Sequence, residues 1–308
     1  MIDLYGREIT SLRFSITQRC NLNCPYCHRE GEKTEDRIQK SEEMSLERIQ
    51  KIVAAAVKIG IKSVKLTGGE PLLRPDICDI IGSIAKIKEV SAGDGYVSGI
   101  KDISLVTNGT LLERYAKAMK EAGLTRINIG CDSFSSNIIS KRAENILPGL
   151  LAAKEAGLSP IKLNMVVLKG INHLEIKQMI EFAGNYGVML QLIELIPSRQ
   201  NGISALLQNE NKYYQDYYFS LEKIEQELEE QAIKVEIRKM QGRKQYYLAK
   251  TIVELVRPAH RLFCMNCNKI RVTSDGLIKP CLMRNDNLVE FKDETSFIEA
   301  IKMRNMYK

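Results

Sequence analysis

The chain has 308 residues, 44% hydrophobic and 27% charged, with 45 Lys and Arg against 38 Asp and Glu for a net charge of +7. These values are ordinary for a folded domain protein and exclude a disordered, collagen-like or small disulfide-stapled chain. The mild positive excess suits an anionic ligand or a nucleic acid and does not choose between them.

Residues 12–17 read as a first strand, and 46–59 as a helix with Ser45 as its cap. A second strand at 63–66 runs into Thr67-Gly68-Gly69-Glu70-Pro71, and a helix follows over 76–88. The stretch 89–99, with Gly93, Gly95 and Gly99, reads as a flexible surface insertion. Strands at 102–107, 126–129, 161–168 and 188–195 alternate with helices at 112–121, 143–156 and 174–186, which close at Gly123, Gly157 and Gly187. Strand and helix recur about every 30 residues, so βα units and a parallel sheet are expected. Six units fit an α/β fold of the incomplete (β/α)6 TIM-type barrel, with a doubly wound open sheet as the alternative. After Pro197 the pattern changes. Residues 201–215 are polar and read as a loop, 221–231 as a charged helix, and 233–256 as strands turning near Gly242. Residues 269–273 start a hairpin that turns at Ser274-Asp275-Gly276. The chain therefore divides into a partial barrel, 1–200, and an α+β C-terminal region, 201–308.

No apolar run approaches the roughly 18 residues needed to span a bilayer, and Met1-Ile2-Asp3-Leu4 begins no secretory leader. A cytoplasmic, reducing location without membrane contact is expected, where the eight cysteines stay free for metal or catalysis. Cys78 and Cys131 stand alone and read as small buried residues. The other six form two sets of three.

Cys20-x-x-x-Cys24-x-x-Cys27 follows directly on the first strand, where a barrel keeps its chemistry. Three thiolates are one short of a closed zinc site or an ordinary cluster. A [4Fe-4S] cube held by three Cys leaves one iron open to a small ligand. A zinc knuckle completed by His28 is the alternative. Cys264-Met265-Asn266-Cys267 with Cys281 gives a second set by the same counting, the alternative being zinc completed by His260. Lys269 and Arg271, on alternate residues of a strand, share one face and suggest an anionic substrate beside that second metal.

Cys20-Asn21-Leu22-Asn23-Cys24-Pro25-Tyr26-Cys27 resembles the signature of the radical S-adenosylmethionine (SAM) superfamily, and Leu66-Thr67-Gly68-Gly69-Glu70-Pro71 its glycine-rich SAM-binding motif. Both trios together, with Asp275-Gly276-Leu277-Ile278-Lys279-Pro280-Cys281-Leu282, resemble the molybdenum cofactor biosynthesis protein A family, the GTP 3′,8-cyclases, over residues 12–287. The resemblance implies a partial barrel whose open side is covered by the C-terminal region. It also implies two [4Fe-4S] clusters and SAM as cofactors, and GTP as substrate on the open iron of the second cluster. A 5′-deoxyadenosyl radical would take hydrogen from ribose C3′, and C3′ would bond guanine C8 to give (8S)-3′,8-cyclo-7,8-dihydroguanosine 5′-triphosphate. A cyclic pyranopterin monophosphate synthase would receive that product, an electron donor protein would reduce the clusters, no nucleic acid would be needed, and a homodimer is compatible.

Carried over residue by residue, Tyr26, Gly69 and Gly130 match SAM-binding positions. Arg13, Lys65, Val106, Lys162 and the run Lys269, Ile270 and Arg271 match GTP-binding positions. A cation pointing into a barrel also needs an anion to offset its desolvation, and a triphosphate is one. The sequence departs from the family pattern in four places. Val106 stands where a hydroxyl is common, Gly130 where Ser is usual, and Ile196 where many members have Met. The end, Arg304-Asn305-Met306-Tyr307-Lys308, lacks a diglycine tail. Two other functions compete: a radical SAM enzyme with an auxiliary cluster acting on a peptide, and a zinc-dependent nucleic-acid-binding protein.

Overall fold

Ser45 accepts the Arg48 N–H at 3.2 Å and so starts α1 (Leu46–Lys58), whose buried face carries Ile49, Ile52, Val53 and Ala56. The computed structural model describes residues 1–32, 43–92, 95–135, 141–196, 207–238, 240–258 and 260–305. Before α1 comes β1 (Ser11–Ser15). After it follow β2 (Ser63–Thr67), α2 (Ile77–Ala85), β3 (Glu89–Ala92), β4 (Gly95–Ser98), β5 (Asp102–Thr107), α3 (Leu112–Glu121), β6 (Arg126–Gly130), α4 (Ala143–Glu155), β7 (Ile161–Val167), α5 (Ile176–Tyr186) and β8 (Met189–Glu194). Gly187, at φ 64°, closes α5 in the left-handed conformation that a Cβ would strain. The C-terminal part contributes α6 (Leu207–Tyr217), α7 (Glu222–Gln231), β9 (Lys234–Ile237), β10 (Lys244–Tyr247), β11 (Ile252–Val256), α8 (Arg261–Met265), β12 (Lys269–Val272), β13 (Ile278–Lys279) and α9 (Glu294–Lys302).

Strands β1, β2, β5, β6, β7 and β8 lie side by side in chain order, all parallel. Order without reversal decides between the two architectures. Crossovers of one hand then put every helix on one side of the sheet, and the sheet must curl. A doubly wound sheet would reverse its order at a switch point. The barrel reading holds. The C-terminal strands extend the same sheet at both ends: β12 pairs parallel with β1, and β11 parallel with β8. Strands β13 and β9 are its two edges.

Two expectations are corrected. The stretch 89–99 contains a regular antiparallel hairpin, β3 with β4, because Val90 and Val97 pair across it. The expected loop 201–215 contains most of α6, whose tyrosines pair at one-turn spacing, Tyr213 with Tyr217 and Tyr214 with Tyr218. Residues 201–206 lie outside the described residues. Cys131 is fully buried as expected, whereas Cys78 is only half-buried. Among the described residues no helix is long and apolar enough to cross a membrane.

Alternation sorts each strand's side chains. Leu12 and Phe14 of β1 are fully buried in the core beneath the helices, while Arg13 faces the barrel interior. The interior is polar. Lys65 Nζ donates to Asn128 Oδ1 at 2.9 Å, Asn128 Nδ2 to Gln191 Oε1 at 2.8 Å, and Gln191 Nε2 to Glu254 Oε1 at 2.7 Å. Glu254 also receives Lys162 Nζ at 2.9 Å, Arg238 at 3.2 Å and Arg243 at 2.5 Å. Burial opposes ionisation of Glu254, but Arg243 and Lys162 outweigh it and hold its pKa down to about 2.

Replacing Glu254 by Gln keeps the side-chain volume and removes the counter-charge of three cations. It should lower unfolding free energy by about 3–5 kcal/mol in urea titrations. Because the folded pKa lies below the ordinary 4.5, the carboxylate's contribution is complete above that value and fades as pH falls toward 2. The acid slope of stability over that window should flatten in Glu254→Gln, and an unchanged slope would show that the cations are neutralised elsewhere.

Candidate active site

The C-terminal end of β1 leads through Thr17, Gln18 and Arg19 into the first cysteine loop, and the glycine-rich loop after β2 grips that lead. Gly69 N–H donates to Thr17 O at 2.7 Å, and Glu70 N–H to Arg19 O at 2.7 Å. A Cβ on Gly69 would lie 2.2 Å from Arg19 O, and one on Gly68 2.3 Å from Thr17 O. These glycines are therefore demanded by the cysteine loop's own backbone, where the sequence suggested only a ligand. Glu70 is fully buried and fixes the same loop to the end of β5: its carboxylate accepts from Asn108 N–H at 2.6 Å and Thr107 Oγ1 at 2.7 Å.

Cys20, Cys24 and Cys27 carry free thiols. Leu22 N–H points at Cys20 Sγ and Arg29 N–H at Cys27 Sγ, each at 3.4 Å. Burial pushes the Cys20 and Cys24 thiols up in pKa, with Lys141 acting in the opposite direction. Tyr26 donates its hydroxyl to Asp132 Oδ2 at 2.5 Å. Burial and that carboxylate hold the phenol neutral.

The second trio is fixed from the chain's two ends. Asp3 Oδ2 receives Arg7 Nε at 2.7 Å and Arg304 Nε at 2.9 Å. Arg7 Nη1 donates to Cys264 O at 3.0 Å and lies 3.6 Å from Cys264 Sγ. Arg304 donates to the carbonyls of Cys267 at 2.8 Å, Pro280 at 3.3 Å and Lys269. Burial disfavours the Cys267 thiolate, yet Arg304 and Lys269 overcome it and hold its pKa below the ordinary thiol value. His260, the residue considered as a fourth zinc ligand, instead caps α8 by accepting Leu262 N–H at 3.3 Å. Among the described residues no three Cys, His, Asp or Glu side chains close around a single ion. Three soft donors per trio, with N–H groups aimed at the sulfurs, fit an iron–sulfur cluster at each.

Both trios line one cavity of about 820 Å³. Tyr26, Gly69, Gly130, Val106 and Ile196 line it too, as do Arg13, Lys65, Lys162, Lys269 and Arg271. Ile270 does not bring its side chain there: it is fully buried in the hydrophobic core, because alternation along β12 turns it away from its two cationic neighbours. Strand register gathers the cations. Arg13 stands beside Lys65 on one side and Arg271 on the other. Glu30, from the loop after the first trio, takes Arg13 Nε at 2.7 Å and Arg271 Nη1 at 2.8 Å. Burial opposes the Glu30 charge, but Arg13 and Arg271 hold its carboxyl well below the usual range. Lys65 has only a neutral acceptor, Asn128, among the described residues. Burial, then Arg126, Arg13 and Lys269, push its pKa well below the ordinary lysine value. The arrangement can receive an anion between two metal sites.

Sequence reasoning missed Glu30, Glu254, Arg126, Arg243, Lys141, Arg7 and Arg304. Glu254 sits among apolar neighbours in a strand pattern, which is the one available signal for an inward carboxylate. Arg126 shares with Asn128 the polar face of a strand whose Ile127 and Ile129 are buried, a signal that alternation also offered.

Comparison with known proteins adds the following. The radical SAM superfamily model matches residues 14–183, and the Molybdenum Cofactor Synthesis C model matches residues 188–304. The chain is 40% identical over 322 residues to a probable GTP 3′,8-cyclase of Methanothermobacter thermautotrophicus, covering 99% of this chain and 98% of that one. It is 39% identical over 323 residues to a probable GTP 3′,8-cyclase of Methanocaldococcus jannaschii, covering 100% and 99%. Among solved structures, SuiB of Streptococcus suis bound to S-adenosylmethionine gives a TM-score of 0.59 at 15% identity, covering 95% of this chain and 64% of that one. The protein anSMEcpe with bound AdoMet gives 0.60 at 16%, covering 96% and 78%. At these identities the two structures speak for the fold alone.

Replacing Gly69 by Ala should push the chain from Thr17 to Arg19 out of register. The expected cost is about 1–3 kcal/mol of stability, together with reduced iron retention at the first trio, read by iron analysis after anaerobic reconstitution. Full iron and full stability would mean that the loop relaxes around the methyl group.

Proposed function

The chain belongs to the GTP 3′,8-cyclases of the radical SAM superfamily, and from that premise we propose how the residues of its cavity divide the work. The protein is a lyase-type enzyme that converts GTP to (8S)-3′,8-cyclo-7,8-dihydroguanosine 5′-triphosphate in molybdenum cofactor biosynthesis. The observation that carries the division is the single cavity that both cysteine trios and the intervening cations line.

Cys20, Cys24 and Cys27 would hold one [4Fe-4S] cluster, and Cys264, Cys267 and Cys281 the other. When bound, the first would supply the electron that cleaves SAM, and the second would provide a ligand position for guanine. Tyr26, Gly69 and the backbone of Gly130 bound the SAM side of the cavity. Arg13, Lys65, Lys162, Lys269 and Arg271 receive the triphosphate. Lys65 and Lys269, whose hydrogen-bond acceptors Asn128 and Gln241 are neutral, gain most from it. Arg13 and Arg271 arrive already oriented by Glu30. Val106 contributes apolar contact in place of a hydroxyl, and Ile270 contributes only backbone. With its phosphates held and its base fixed at the far end, GTP would have its ribose between the two trios, where C3′ can lose a hydrogen atom and bond C8, one electron from the donor protein and one proton then completing the dihydroguanosine.

An electron donor protein and a cyclic pyranopterin monophosphate synthase would act before and after this step. A cytoplasmic location would keep the six ligating thiols reduced.

GTP deuterated at C3′ decides the reaction. Incubated with SAM, a reductant and the reconstituted protein, it should yield deuterated 5′-deoxyadenosine by mass spectrometry. Unlabelled 5′-deoxyadenosine would remove C3′ of GTP as the hydrogen source.

A second prediction concerns Lys65. Its lowered pKa means that the free site releases the proton readily. A bound triphosphate favours the ammonium over the neutral amine, so GTP affinity should fall as pH rises through the Lys65 titration. Lys65→Met should bind GTP about tenfold more weakly and show a shallower pH dependence by equilibrium dialysis. Matching profiles for variant and wild type would take Lys65 out of the phosphate site.

A further inference from the structure

Gly130 ends β6 at the rim of the cavity, at a position where the family pattern has serine. A Cβ built there would lie 2.8 Å from Lys141 Cδ, 3.2 Å from Cε and 3.3 Å from Nζ. The lysine side chain therefore occupies the space that a serine side chain would need. Glycine at 130 and lysine at 141 form one feature: the first makes room and the second fills it.

Lys141 also reaches the right chemistry. It lines the cavity together with Cys20, Cys24 and Cys27. Its ammonium stands 5.5 Å from the centre of the Tyr26 ring and 3.6 Å from Asp132 Oδ2. That carboxylate holds the ammonium by charge at a distance beyond a hydrogen bond, while its oxygens serve two other donors. Oδ1 accepts Val166 N–H at 2.6 Å, and Oδ2 accepts the Tyr26 hydroxyl at 2.5 Å. The ammonium thus keeps donors for a second anion beside the first trio.

SAM carries one anionic group. Its sulfonium and amino groups are cationic, and its ribose and adenine are neutral. The methionine carboxylate is therefore the one group of SAM that an ammonium at this place pairs with by charge. We propose that Lys141 binds the carboxylate of SAM, supplying by charge the contact that Gly130 cannot supply by a hydroxyl. The proposal rests on the reading of the first trio as the SAM site. Lys141 is on this view a binding and positioning residue: it fixes the methionine carboxylate and so orients SAM beside the trio.

The test is equilibrium dialysis of radiolabelled SAM against anaerobically reconstituted protein, with iron content and GTP affinity measured in parallel. Lys141→Met should bind SAM at least about tenfold more weakly while keeping wild-type iron and GTP affinity. Adding Gly130→Ser to that variant should restore part of the loss, because the vacated space now admits a hydroxyl. A purely structural lysine would give no such recovery. SAM affinity of Lys141→Met within about twofold of wild type, with full iron, overturns the proposal. If Lys141→Met loses iron, Lys141→Gln decides: with full iron it must still bind SAM weakly, and loss of iron from both variants assigns Lys141 to support of the cysteine loop and ends the proposal. A wild-type protein that binds no SAM at all would instead overturn the reading beneath it.

Discussion

Arg13 and Arg271 meet on Glu30, and Lys162, Arg238 and Arg243 meet on Glu254. These two carboxylates let the barrel interior hold its cations, and the rest of the site depends on them. A lone buried charge is too costly to survive in a low-dielectric interior and would neutralise instead. The depressed carboxyl pKa of each shows that neighbouring cations dominate desolvation. The cations outnumber the carboxylates along the cavity wall, with Lys65, Arg126 and Lys269 added to those five. The chamber is therefore prearranged as positive, and an incoming triphosphate meets donors already oriented.

The two cysteine loops are held by different means, and the difference follows from where they lie in the chain. The first comes straight off a central strand, so the neighbouring strand's loop can grip it backbone to backbone. Gly68 and Gly69 make that approach sterically allowed. The second trio flanks the hairpin of β12 and β13, which pairs with β1, and buried side chains anchor it further. Asp3 aligns Arg7 and Arg304, and the arginines take up carbonyls around Cys264, Cys267 and Cys281. The same guanidinium charge favours the thiolate form of Cys267. One loop is thus shaped by close packing and the other by charge.

Much of this was legible in the residues. The two cysteine spacings and the six alternations of strand and helix follow from local patterns, and the family resemblance pointed to the cations Arg13, Lys65 and Lys162. What escaped notice is non-local. Asp3 and Arg304 meet across almost the whole chain, and nothing near either residue announces the other. Glu30 looks like one more polar loop residue until β1 and β12 bring their arginines to it. The helix α6 was hidden by a run rich in Asn, Gln and Tyr; its tyrosines meet in tilted pairs at one-turn spacing and pack against the buried Leu168 and Leu195. The hairpin of β3 and β4 was hidden by glycines that also suit a free loop.

The departures at Val106 and Gly130 acquire a common physical reading from these contacts. At Val106 the neighbouring hydroxyl of Thr107 is already committed to Glu70, so the position offers the cavity only a methyl surface. At Gly130 the lost hydroxyl is offset by an ammonium that crosses the vacant space from a different segment. On the proposed division of the cavity, a neutral hydrogen bond to a ligand would give way in both places, and the charges already lining the chamber would carry more of the recognition. A site that recognises its ligands through charge gains range and tolerance of small displacements, because Coulomb attraction falls more slowly with distance than a hydrogen bond does. It also becomes more dependent on the exclusion of water and salt from the chamber, since both screen it. The enclosure formed by the barrel and the C-terminal strands is then part of the recognition itself, and the single continuous sheet that joins β13 to β9 is what maintains it.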